Sequence, residues 1–278
     1  MNGIDALTVP GVPGAEVREV AELPESLDGA VRVGGFSIAR RDALLQTVPG
    51  VARFLITDGR LIQFVREVGA DDLAIEQFLA GSARAALVHQ LGGLPLHAAC
   101  LLPPHGRFAV AITGPSGAGK STMAAELVRR GWTLLGDDVT PIYADCGGVK
   151  AWPSRGLLKL WRDACDRLAI DANKLQPLPG ERDKYLLSVE AHPDPAPLSY
   201  IFLLERGLEG GIIRVEGVAR LASLRANTYK ANYLHGLKCI ESHFRISCRI
   251  SEEAQIGVVR WSGHVAHGAD LIAYSCTS

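Results

Sequence analysis

Neither sign of charge is in excess in this sequence: 29 Lys and Arg stand against 30 Asp and Glu over 278 residues, a net of −1 at neutral pH. That balance provides no global field for drawing in DNA, RNA or an anionic membrane. Aromatic residues are few, 6%, so no stacking platform for single-stranded nucleic acid is in view. No run approaches the 18 or so uninterrupted apolar residues that a bilayer span needs. The start, Met1-Asn2-Gly3-Ile4-Asp5-Ala6-Leu7, lacks the basic and apolar blocks of a secretion signal. Six cysteines (Cys100, Cys146, Cys165, Cys239, Cys248 and Cys276) include no C-x-x-C pair. Their scatter excludes a disulfide framework or a zinc knuckle and fits reduced thiols, so a cytoplasmic protein is expected. What is present in quantity is core material: 47% hydrophobic and 21% charged residues, the proportions of a globular chain.

Length allows one large domain or a medium and a small one. Residues 1–30 show little periodicity and read as a loose lead-in. Ala52–Thr57 and Arg60–Val65 then flank Asp58-Gly59, a hairpin pattern because the turn needs positive φ. Helices are expected from Asp71-Asp72 and again through Ala83–His89, stopped by Gly92-Gly93. Leu94–Leu101 is mostly apolar. Phe108–Ile112 has the continuous apolar character of a strand covered on both faces. A glycine-rich turn follows, then a helix over about 121–130 and a strand at Thr133–Leu135, which together form a βαβ-like unit. Tyr200–Leu204 and Ile212–Val215, either side of a glycine-rich turn, suggest a second hairpin, and Gly257–Trp261 a late strand. Pro193–Pro197 reads as a surface connector. The expected division is a small N-terminal domain over 1–90 and a larger one over 91–278.

The most informative segment is Gly114-Pro115-Ser116-Gly117-Ala118-Gly119-Lys120-Ser121, a full match to G-x-x-x-x-G-K-[ST]. Average residue frequencies give that pattern by accident on the order of once in a hundred chains of this length. Its position, between a predicted strand and a predicted helix, is the one the chemistry demands. Glycines let the backbone wrap round phosphates with its N–H groups inward, and the helix start adds partial positive charge. Lys120 is placed to bridge β- and γ-phosphates and Ser121 to ligate Mg²⁺, with Thr122 completing the candidate nucleotide-binding set. A dinucleotide fingerprint fits less well, because Thr122 stands where its third glycine would be.

Asp137-Asp138 ends the next strand, seventeen residues after Lys120. Strand ends on the carboxyl side of such a sheet converge on the ligand crevice. Two carboxylates there divide two jobs, holding a metal and taking a proton from an attacking hydroxyl. Spacing does not say which does which. A strand-ending turn or helix cap is the plainer use of such aspartates.

With His97, the phosphate loop and Arg130-Gly131-Trp132-Thr133-Leu134-Leu135-Gly136-Asp137-Asp138 together, the chain resembles the kinase domain of HPr kinase/phosphorylase and its relatives. The resemblance is strongest over about 94–142. It implies an α/β P-loop kinase core of the phosphoenolpyruvate carboxykinase-like type with a small N-terminal α+β domain. It also implies serine phosphorylation with ATP and Mg²⁺. On that basis Asp137 corresponds to the general base, Asp138 with Ser121 to the metal side, and His97 to a residue beside the base. Arg155 and Gly156 match the family's signature, whereas its glutamate position holds Pro153. The layout, a short N-terminal part followed by Leu94-Pro95-Leu96-His97-Ala98, is similar to kinases of lasso-peptide precursors, which act on a C-terminal serine. The implied partner is a peptide or protein carrying the acceptor serine, with neither nucleic acid nor membrane. An HPr-type protein kinase, a free-serine kinase and a non-catalytic ATP-binding module stay open, as does a homo-oligomeric state.

Arg155, Arg182 and Lys184 are candidate cations for the transferring phosphoryl group, with solvated surface charge as the plain alternative. His264, His267, Cys239 and His243 lack a completing ligand set and are expected to be structural or solvent-facing. Trp132, Trp152, Trp161 and Trp261 are expected to pack in the core.

Overall fold

The computed structural model describes residues 9–207 and 210–276, and these divide into two compact units. Residues 1–8, 208–209 (between the two strands of the expected second hairpin) and 277–278 lie outside the described residues. The first unit runs to Pro95 and also contains Tyr229–Ile246; the second contains Leu96–Thr228 and the residues from Ser247 onward. The expected division kept 91–278 together. A later segment is instead returned to the first unit, which no local pattern announces.

In chain order the first unit has β1 (Glu16–Glu19), β2 (Val31–Gly34), β3 (Ser37–Arg40), β4 (Ala43–Val48), β5 (Ala52–Thr57) and β6 (Leu61–Arg66). Helices α1 (Asp72–Phe78) and α2 (Arg84–Gln90) follow, joined by a π-helical turn at Leu79–Ala83, and β7 (Leu94–Leu96) reaches the boundary. The second unit continues with β8 (Ala98–Leu102), β9 (Ala109–Thr113), α3 (Lys120–Arg129), β10 (Thr133–Gly136), β11 (Thr140–Asp145), β12 (Gly148–Ala151) and β13 (Leu157–Trp161). Next come α4 (Arg162–Arg167), β14 (Gln176–Pro177), β15 (Lys184–Ser188), β16 (Ala196–Arg206), β17 (Gly211–Arg214) and α5 (Val218–Ala226). The chain closes with α6 (Tyr233–Gly236), α7 (Ile240–Glu253), β18 (Gln255–Trp261) and α8 (Val265–Ser275).

The first unit is a six-stranded sheet in the order β1-β6-β5-β4-β3-β2 with helices beside it. β5 alternates as its sequence requires: Ala52, Phe54 and Ile56 are buried, and Phe54 stacks on Phe64 and Phe78. The expected hairpin is present, with both Asp58 and Gly59 at positive φ in the turn between Thr57 and Leu61. The lead-in is not loose throughout. Glu16–Glu19 pairs parallel with β6, an edge contact invisible to local periodicity. Asp71 caps α1 by accepting from the Leu73 N–H at 2.8 Å.

The second unit is built on strands β10-β8-β9-β16-β18-β17. β9 is buried at every position, consistent with its uninterrupted Ala-Val-Ala-Ile-Thr. The strand–loop–helix–strand unit is present in altered form, because β8 inserts antiparallel between β9 and β10. β9, β10, β16 and β18 nevertheless run the same way, so their carboxyl ends share one sheet edge. The expected second hairpin is absent: β17 pairs with β18, and β18 lies between it and β16. Ala196-Pro197, placed in the connector, instead begins β16 and pairs with β12. A separate three-stranded sheet, β13-β15-β14, has Leu158 and Leu160 buried in the same core as Val110, Met123 and Trp261. No helix among the described residues is long and apolar enough to cross a membrane.

Candidate active site

The phosphate-loop sequence forms the turn from β9 into α3. Gly119 is the helix N-cap at φ +97°, with no side chain capping the first turn, so the opening N–H groups of α3 face outward. A Cβ at Gly119 would lie 3.0 Å from Cζ2 of Trp261, so close packing as well as φ requires glycine there. At the loop's other end Gly114 has φ +141°, and a Cβ would meet the Leu204 carbonyl at 3.0 Å. Lys120 folds back over the loop, its Nζ donating to the carbonyls of Gly114 at 2.9 Å and Pro115 at 3.2 Å. Burial pulls its pKa below the ordinary lysine value, opposed by the charges of Asp137 and Asp138.

The two aspartates face different partners. A β-bulge between Leu134 and Gly136 changes the alternation at the end of β10. Asp138 then takes φ +70°, and the Val139 N–H donates to the Asp137 carbonyl at 2.9 Å, closing a γ-turn. Asp137 is buried and accepts from Ser121 Oγ at 3.0 and 3.1 Å and from the Lys159 N–H at 3.0 Å. Burial, then the neighbouring charge of Asp138, pushes its pKa up. Asp138 accepts from Lys159 Nζ at 2.7 Å and lies 3.5 Å from His97 Nδ1. Burial works to raise its pKa, but the Lys159 charge and hydrogen bond, with His97 and Lys184 assisting, bring it below the ordinary value.

In this structure Ser121, expected on the metal side with Asp138, is paired with Asp137, and Asp138 lies on the side of Lys159 and His97. Strand alternation alone does not predict this, because bulge and γ-turn together reset which way each carboxylate points.

His97 interrupts β7 and β8. Its Nδ1 lies 2.8 Å from the Asp138 carbonyl, which only accepts, so that nitrogen carries the proton. The His97 N–H donates to the Asn227 carbonyl, and the Thr113 hydroxyl lies 2.8 Å from the His97 carbonyl and 3.0 Å from Asn227 Oδ1. The histidine is thus tied to the residue that opens the phosphate loop.

A cavity of about 320 Å³ brings these groups together. Ser116, Gly117, Gly119, Lys120, Ser121 and Thr122 line one wall, and His97, Asp137 and Asp138 another. Lys159, Trp161, Asp163, Arg167, Lys184 and Arg206 complete it. Five Lys and Arg side chains thus face three carboxylates, an excess of positive charge suited to a polyphosphate.

Lys184, one of the candidate cations, lies in this wall with its Nζ 5.0 Å from the Trp161 ring centre. Arg155 and Arg182 are not among the lining residues. Arg155 sits in the connection before β13, where Ser154 bonds the Leu135 carbonyl and Gly156 packs on the Val189 backbone. Trp161 is 44% exposed and lines the cavity, so its expected place in the core is corrected, whereas Trp132 and Trp261 are buried. The site residues that sequence reasoning missed were accessible to two signals. Leu157-Leu158-Lys159-Leu160-Trp161 alternates, so burial of Leu158 and Leu160 sends Lys159 and Trp161 to the other face. Arg206 ends a strand parallel to β9, where ligand sites collect.

Ser121 Oγ and the Asp137 carboxylate form an all-oxygen donor pair, which fits Mg²⁺. Among the described residues no group of three or more His, Cys, Asp or Glu is arranged to hold a metal unaided.

No family model and no curated protein matches the chain. Among solved structures it is similar to the Hpr(Ser) kinase/phosphatase from Coxiella burnetii, at 14% identity and a TM-score of 0.36. The match covers 66% of this chain and 95% of that one.

Proposed function

We propose that this protein is an ATP- and Mg²⁺-dependent phosphotransferase acting on a serine hydroxyl. The observation that carries the reading is one cavity in which a phosphate loop, its lysine and two differently partnered aspartates converge. The triphosphate lies against the N–H groups of the loop and the start of α3, where dipole and main-chain donors favour anions. Lys120 exchanges its two carbonyl partners for β- and γ-phosphate oxygens. Ser121 and Asp137 supply the protein oxygens for Mg²⁺, which when bound neutralises phosphate charge.

Asp138 is the group that takes the acceptor proton, the reverse of the assignment implied by the resemblance. Asp137 is committed to Ser121 and buried, whereas Asp138 is kept anionic and a quarter of its side chain is exposed. As its proton passes to Asp138, the serine oxygen forms a bond to the γ-phosphorus. The bond from that phosphorus to the β–γ bridging oxygen breaks, and ADP leaves with the electron pair. His97 holds the γ-turn that aims Asp138. Lys184, Arg167 and Arg206 supply positive charge for oxygens that gain charge in the transition state.

For the acceptor we infer the C-terminal serine of a lasso-peptide precursor, supported by the similarity in layout through Leu94–Ala98. Incubation with ATP, Mg²⁺ and a serine-ended peptide should give a peptide heavier by one phosphate. If free serine competes and is itself phosphorylated more efficiently, the acceptor is the small molecule. Tight ATP binding with no transfer to peptide, protein or free serine would make the chain a nucleotide-sensing module.

A further inference from the structure

One residue touches both aspartates. The main-chain N–H of Lys159 donates to Asp137 Oδ2 at 3.0 Å, while its Nζ donates to Asp138 Oδ2 at 2.7 Å. β13 runs beside the pair, presenting its peptide to one carboxylate and its side chain to the other. The ion pair is well covered, with 21% of the Lys159 side chain and 25% of the Asp138 side chain exposed. On the opposite side of Asp138, His97 Nδ1 lies 3.5 Å from Oδ1. Lys184 acts on Asp138 electrostatically as well.

The environment of Asp137 contrasts with this. Its bonding partners are a serine hydroxyl and main-chain N–H groups, all neutral, while Lys120 acts on it electrostatically without a direct bond. A divalent ion at Asp137 meets oxygen donors. One at Asp138 would have to displace an ammonium group already at hydrogen-bonding distance and settle beside the remaining lysines, at a large electrostatic cost.

We infer that Lys159 is a positioning residue whose ammonium stands where a second metal ion would otherwise sit, so that transfer runs with a single Mg²⁺ on the Ser121–Asp137 side. The inference rests on the phosphotransferase reading above. A fixed ammonium holds the carboxylate aimed at the acceptor without reorganising during the reaction, whereas an exchangeable ion would have to be bound anew.

The test counts ions. Mn²⁺ is titrated into the full chain with the non-hydrolysable ATP analogue AMP-PNP, and bound ion is read by electron paramagnetic resonance. The wild type is expected to hold one Mn²⁺ per chain, Lys159→Met to gain a second, weaker ion, and Lys159→Arg to keep one. In steady state Lys159→Met should lower kcat by about 10²-fold. Its KM for ATP should stay within about twofold of wild type, the signature of an interaction made in the transition state. Lys159→Arg should recover much of the rate. Two Mn²⁺ ions in the wild type overturn the inference, as does a Lys159→Met protein with one ion and an unchanged kcat. If Lys159→Met fails to fold, the wild-type count and the Lys159→Arg kinetics decide the matter. Failure of the wild type to bind AMP-PNP removes the phosphotransferase reading and the inference with it; nucleotide binding with two ions removes the inference alone.

Discussion

Gly119→Ala puts the local physics of the site to a quantitative test. At φ +97° an alanine carries the left-handed backbone penalty, about 1–2 kcal/mol. Its Cβ would also be built 3.0 Å from Cζ2 and 3.3 Å from Cη2 of Trp261, a fully buried ring that has little room to retreat. Overpacking of that kind costs about 1–3 kcal/mol, so the variant should lose about 2–5 kcal/mol in the unit that holds the site. For a unit of this size that lowers the melting temperature by about 5–15 °C. Scanning calorimetry is the assay of choice, because separate compact units can melt as separate transitions. Trp261→Phe removes the offending edge of the ring, so the double variant should recover part of the loss, a coupling of about 1 kcal/mol. A Gly119→Ala protein that melts with the wild type, or a double variant that is simply additive, would refute this account of why the loop ends in glycine.

Three further outcomes are expected. Asp138→Asn should lower kcat by about 10²–10⁴-fold while leaving the ATP dissociation constant unchanged, measured by pairing phosphotransfer assays with isothermal titration calorimetry. Asp137→Asn should weaken the Mg²⁺ requirement's saturation yet stabilise the metal-free fold. The folded-state pKa of Asp137 is raised, so its ionisation favours the unfolded chain and costs stability as pH rises through that value. The gain in melting temperature should therefore be largest at neutral pH and vanish as pH falls toward the unfolded carboxyl value of about 3.9, a trend that paired melts across pH would check. Gly236→Ala should destabilise the first unit by about 1–3 kcal/mol, visible as a lower midpoint in urea. Its Cβ would run into Val33 Cγ1 and lie 2.8 Å from Ala39 Cβ.

What the sequence by itself determined was local. The loop Gly114–Ser121 is legible because its glycine pattern and its one lysine all lie within eight residues. The Asp58-Gly59 hairpin and the buried strand β9 are legible for the same reason: turn chemistry and hydrophobic period operate over a few residues. Tertiary structure alone decided the rest. β16 lies beside β9 although some ninety residues separate them, and that pairing delivers Arg206 to the loop. The three-stranded sheet delivers Lys159, Trp161 and Lys184, while the connection carrying Arg155 passes the cavity by. The two aspartates come to face different partners through one bulged residue and one positive φ. Adjacent carboxylates are equivalent in a sequence. They become different only when the backbone turns one toward Ser121 and the other toward an ammonium group.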